Sequence, residues 1–118
     1  MEESPSSSRS RTRLLKDTEK ALLRQLFQKW EGSGSVMDRL DSLEVTEMSD
    51  GGMGSLYFVS AAKTPHERRL GRRVAELKIN DADEVPILAS LNIDTEGELY
   101  ELDIWKTDFR PVIRLYPA

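Results

Sequence analysis

The sequence predicts an α+β fold in which one or two N-terminal helices pack on a four- to five-stranded antiparallel meander sheet. Three observations lead there. Apolar residues recur at helical spacing between residues 17 and 30, the period changes to alternation after residue 44, and two short turns bring the apolar faces of neighbouring strands into line.

The 118 residues suffice for one domain and are too few for two. With 38% apolar and 32% charged residues, the balance is that of a globular chain. Cysteine is missing, which excludes disulfides, a thiolate nucleophile and a cysteine zinc site. The net charge of −4 divides unevenly, with +2 on residues 1–16 and −6 on the remainder. An acidic body argues against nucleic acid as a partner, because phosphate backbones are bound by clustered cations. No apolar run has the length of a membrane span, and the N-terminus lacks the apolar stretch of a secretory signal. The expectation is a cytoplasmic protein with no membrane partner.

Residues 1–13 have no apolar side chain after Met1, so this Ser/Arg-rich segment is expected to be a disordered, solvated tail ahead of a single α+β domain over 14–118. The first helix follows. Asp17 or Thr18 caps it, Glu19 suits its first turn, and Leu22, Leu23, Leu26, Phe27 and Trp30 form one stripe before Gly32 and Gly34 end it. A shorter helix is expected next, with Ser35 and Asp38 as a capping box and Val36, Met37, Leu40 and Leu43 on one side. Strands are expected over 55–61, 72–79, 85–94 and 99–108, with 44–48 and, after Pro111, 112–115 as candidates for a further short strand.

Register follows from loop length. A four-residue loop at 95–98 puts Asp94 opposite Leu99, Ile93 by Tyr100, Leu91 by Leu102 and Ala89 by Ile104. The turn at 80–84 puts Ile79 opposite Val85 and Leu77 opposite Ile87. Three strands then share one apolar face, which the helical stripe covers. The other face carries Val74, Glu76 and Lys78, then Leu88, Ser90 and Asn92, then Glu101, Asp103, Trp105 and Thr107. It is polar, acidic and holds a tryptophan. A solvated face and a binding surface are both compatible with that pattern.

Other candidates weigh less. The glycine run 50–54 lacks the ending of a phosphate-binding loop and reads as a turn, with an anion cradle as the lesser alternative. Asp81, Asp83 and Glu84, and separately Asp94, Glu96 and Glu98, lack calcium-loop spacing and read as charged hairpin turns at opposite ends of the sheet. His66 follows Pro65 in a polar connection and reads as a surface residue. Glu101 and Asp103 face the same way and could divide acid and base roles if buried. Arg68, Arg69, Arg72 and Arg73 suit either internal pairing or a solvated hairpin tip.

The blocks Asp50-Gly51-Gly52-Met53-Gly54-Ser55-Leu56, Ser90-Leu91-Asn92-Ile93-Asp94 and Gly97-Glu98-Leu99-Tyr100-Glu101-Leu102-Asp103-Ile104-Trp105-Lys106-Thr107-Asp108-Phe109 resemble a family of small bacterial proteins that share a domain of unknown function, over about residues 14–115. The resemblance implies a compact stand-alone domain and no particular activity. Core packing explains Leu91, Leu102 and Ile104 in these blocks and leaves their polar members unexplained.

The resulting expectation is a non-catalytic domain, of adaptor or immunity type, that binds another protein and is itself a monomer or weak dimer. The binding residues expected are Asp50, Gly51, Asn92, Glu101, Asp103, Trp105 and Lys106, with no catalytic residue, metal or cofactor. The alternative is a small-ligand binder or enzyme that uses the acidic sheet face, with the 50–54 turn as its rim.

Overall fold

The computed structural model describes residues 11–115. Of the tail expected over 1–13, residues 1–10 lie outside the described residues, as do 116–118 of the domain. Arg13, expected at the end of the tail, instead begins strand β1 (Arg13–Leu14).

Helix α1 (Asp17–Gln28) forms because Leu22, Leu23, Leu26 and Phe27 recur on one face, and all four are fully buried. Burying each such side chain stabilises the fold by about 1.5–3 kcal/mol. The cap differs from expectation. Lys16 is the capping residue, and its backbone N–H donates to the Glu19 carboxylate at 2.8 Å. Arg13 holds the same carboxylate through two bonds of 2.9 Å. Gly32 lies in a 3-10 turn (Glu31–Ser33), and Gly34 opens the short helix α2 (Gly34–Asp38) rather than ending α1. The box expected between Ser35 and Asp38 does not form; Ser33 donates to the Phe27 carbonyl at 2.8 Å instead. Val36, Leu40 and Leu43 are buried as their spacing requires.

Five further strands follow: β2 (Glu44–Glu47), β3 (Leu56–Phe58), β4 (Leu70–Asn80), β5 (Pro86–Asp94) and β6 (Leu99–Lys106). With β1 they make one six-stranded antiparallel sheet in the order β1-β2-β3-β6-β5-β4. The expected count of four to five missed the two-residue β1. The expected meander is broken between β3 and β4, because β3 pairs with β6 rather than β4, while β1-β2-β3 and β4-β5-β6 each run in chain order. Arg68 accounts for the crossing. It is buried in the connection after β3 and donates to the carbonyls of Phe58 at 2.7 Å and Leu99 at 2.6 Å, seating the connection across the sheet end. Residues 112–115 form no strand; Val112 N–H donates to the Gly52 carbonyl at 3.0 Å.

Leu91 pairs with Leu102 and Ala89 with Ile104, as the alternation requires. At the strand end the pairing slips by one, so Ile93 faces Leu99 and Tyr100 is left over as a bulge. The β4–β5 register is two residues from expectation, with Ile79 opposite Ile87 and Leu77 opposite Ala89. The loop runs over 81–85, closed by Asp81 N–H to the Val85 carbonyl at 3.0 Å, with Glu84 at φ 68°. A two-residue shift keeps every side chain on its face, so the apolar pattern fits both registers. Val74, expected on the outer face, is a second extra residue, and Arg73 stands opposite Asn92. A third bulge sits at Gly71, where a Cβ would lie 2.4 Å from the Asp94 carbonyl oxygen.

The core lies between α1 and the sheet face that carries Val45, Leu56, Ile87, Leu91, Leu102 and Ile104. Leu102→Ala is expected to cost about 2–5 kcal/mol in urea unfolding, while Ser90→Ala on the opposite face stays within about 0.5 kcal/mol. Equal effects would contradict this assignment of faces.

Candidate functional site

The uncovered sheet face is ordered by the pairings into rows. Arg73, Asn92, Glu101, Tyr57 and Thr46 follow one another across five strands. Glu76, Ser90 and Asp103 form the next row, and Lys78, Leu88 and Trp105 the one after. Asn92 donates to the Glu101 carboxylate at 2.9 Å. Asp103 is exposed and makes no ion pair among the described residues. Trp105 is 40% exposed and stands against Phe109, 73% exposed, with ring centroids 5.6 Å apart. Tilted pairs at this distance are favourable beyond their buried area. A second aromatic pair, Tyr57 and Tyr100 at 5.8 Å, stands nearer the other end of the strands. The bulge places Tyr100 there, with the Arg68 guanidinium 4.9 Å from its ring centre.

Four of the expected binding residues, Asn92, Glu101, Asp103 and Trp105, therefore share this face. Asp50, Gly51 and Lys106 do not. Asp50 accepts N–H bonds from Met53 at 3.1 Å and Ser55 at 2.9 Å. Burial opposes its ionised form, but Ser55, Met53 and Gly54 outweigh that and hold its carboxyl below the usual range. The amides of the expected anion cradle are thus turned onto the chain's own carboxylate. Gly51 and Gly52, at φ 76° and 85°, shape this turn.

Lys106 is the larger correction. It is 1% exposed, and its ammonium lies 2.7 Å from Asp83 and 2.9 Å from Asp81. Asp81, expected in a solvated turn, is buried and also accepts the N–H groups of Ile113 at 2.7 Å and Arg114 at 2.8 Å. Burial by itself would raise the Asp81 carboxyl. Ile113, Lys106, Arg114 and Ala82 together hold it well below the carboxylate range. At the opposite end Asp94 is likewise buried, bonded to Lys63 at 2.6 Å and Arg68 at 3.1 Å, and shifted the same way despite its burial. Both buried aspartates commit their oxygens to internal cations and amides. His66 is exposed.

Two clefts adjoin the β2–β3 side. One of about 740 Å³ is lined by Tyr57, Val59, Pro65, Tyr100, Thr46 and Lys63, and one of about 540 Å³ by Arg13, Glu19, Glu47, Asp50, Gly51 and Ser55. Neither is lined by Asn92, Glu101, Asp103 or Trp105. Sequence reasoning missed Phe109, which sits in a turn outside any periodic run. It also missed Tyr100, whose bulge no glycine marks.

The profile of a domain of unknown function, DUF6984, matches residues 12–116. The chain belongs to the DUF6984 family. No curated protein and no solved structure matches it. Among the described residues of this DUF6984 chain, no helix is long and apolar enough to cross a membrane.

The buried aspartates set a pH dependence. An aspartate whose folded pKa lies below its unfolded value stabilises the fold fully above about pH 4 to 5, and that contribution is lost as pH falls towards the folded pKa. Asp81→Asn is therefore expected to lower the urea midpoint at neutral pH, with the gap to wild type closing on acidification below about pH 4. A gap that does not change with pH would contradict the role given to this carboxylate.

Proposed function

We propose that this DUF6984 domain is a non-catalytic, cytoplasmic protein-binding module whose docking surface is the uncovered sheet face. The observation that carries the reading is the Trp105–Phe109 pair, two large aromatic side chains set against each other and left open to solvent. Aromatic residues beside polar neighbours are the usual anchors of protein interfaces. Asp103 flanks the pair as an exposed charge without an ion-pair partner among the described residues. The matching partner offers an apolar socket for the aromatic pair with a cation placed for Asp103.

The enzyme alternative is weaker. Asp103 and Glu101 line neither cleft, and a carboxylate pair dividing acid and base roles needs burial that exposed Asp103 lacks. A small-ligand site is favoured by one observation only, the 740 Å³ cleft beside Tyr57 and Tyr100, whose size suits a small molecule. Its cations Lys63 and Arg68 are already held by Asp94.

The test is affinity capture with folded wild type, Trp105→Ala, Phe109→Ala and Asp103→Lys. A protein retained by wild type is expected to be lost with all three variants. The purified partner should bind Trp105→Ala at least about 2 kcal/mol more weakly, as for an interface hot spot. Identical captured sets would overturn the reading.

A further inference from the structure

Among the described residues, strand β4 forms one edge of the sheet and has β5 as its single neighbour. Its backbone parity can be fixed. Asp81 N–H donates to the Val85 carbonyl, and Asn80 faces Pro86, which has no N–H to give. The hydrogen-bonded pairs with β5 therefore fall on Ile79 and Leu77, while Glu76, Lys78 and Asn80 direct their N–H and C=O groups away from the sheet. These three residues are exposed, and their outward backbone groups have no partner among the described residues. The strand is regular only between the bulge at Val74 and the turn that begins at Asp81.

Charged side chains on an open edge normally guard against pairing. Here their signs and spacing select one pairing instead. A second copy of β4 laid antiparallel must match outward-facing residues with outward-facing residues. A register centred on Glu76 opposes two carboxylates, and one centred on Lys78 opposes two ammonium groups. The register centred on Leu77 places Glu76 of each copy opposite Lys78 of the other, with Ala75 opposite Ile79 on the core side. Its centre falls within the regular stretch, and its Glu76–Lys78 matches are the hydrogen-bonded pairs. Glu76 already meets Arg73 at 3.3 Å, but that contact is long and solvent-exposed, and it leaves the carboxylate able to take a second cation.

We propose that β4 is a self-association edge, on which two copies of this chain pair antiparallel through residues 75–79, with the twofold axis at Leu77 and two reciprocal Glu76–Lys78 pairs joining the sheets. The surface is separate from the Trp105–Phe109 anchor, so either reading can fail without the other.

The test is sedimentation equilibrium of the full chain with charge exchanges at the two positions. Wild type is expected to show a concentration-dependent dimer. Glu76→Lys sets lysine against Lys78 at both pairs, and Lys78→Glu sets glutamate against Glu76. Each should weaken the dimer roughly tenfold or more. The double variant Glu76→Lys with Lys78→Glu restores opposite charges and should recover wild-type association. Circular dichroism checks folding, and if one single variant misfolds, the other makes the same comparison. A wild type that stays monomeric at its highest soluble concentration overturns the proposal. So does a dimer unmoved by the single exchanges, or a double variant no stronger than the singles.

Discussion

Lys106 ends β6 with its side chain turned to the inner side of the sheet, where its ammonium meets Asp81 and Asp83. An ammonium out of water is tolerable only when paired and hydrogen-bonded, and an unpaired one would be strongly destabilising. The cluster therefore fixes what surrounds it. Asp81 belongs to the β4–β5 turn and takes the N–H groups of Ile113 and Arg114, so the segment after β6 is tied to the far hairpin. Lys106 N–H reaches the Met53 sulfur at 3.3 Å, and Gly52 accepts from Val112, which ties in the glycine turn as well. Lys106 and Asp81 between them thus gather the β4–β5 turn, the segment after β6 and the glycine turn.

The consequence for the outer face is direct. Alternation along β6 means that an inward Lys106 requires an outward Trp105. Phe109 N–H donates to the Lys106 carbonyl at 2.9 Å, and Phe109 sits at φ 66°, a conformation rare for an aromatic residue. The turn that follows the buried lysine is what lays Phe109 against Trp105. The exposed anchor and the buried ion pair are two sides of one strand end. The opposite end is built alike, with Asp94 holding Lys63 and Arg68, and Arg68 lying over Tyr100. Each end of the sheet has a buried aspartate beneath and an aromatic pair above.

Much of this was legible where periodicity speaks. Leu22, Leu23, Leu26 and Phe27 reported α1, and the alternation of β5 and β6 reported both the shared core face and the wet face with Asn92, Glu101, Asp103 and Trp105. Periodicity is silent on slips of two residues, which explains the β4–β5 register, and on strand order, which depends on where a long connection crosses. The buried charges were missed for a different reason. Lys106 has the parity of Leu102 and Ile104, and Asp81 that of Leu77 and Ile79, so both stand at core-facing positions. A charge of each sign at core parity was the available signal for a buried pair. Phe109 and Tyr100 owe their positions to a strained turn and a bulge, which leave no periodic trace.

Amide hydrogen exchange at residues 109–114 tests the central claim, that the Asp81–Lys106 cluster holds the segment after β6 in place. The Ile113 and Arg114 amides of the wild type are expected to be protected by their bonds to Asp81. Asp81→Ala should release them, together with Phe109, while the β5 amides stay slow. Wild-type Ile113 and Arg114 amides that exchange as fast as unstructured chain, or protection unchanged in Asp81→Ala, would contradict it.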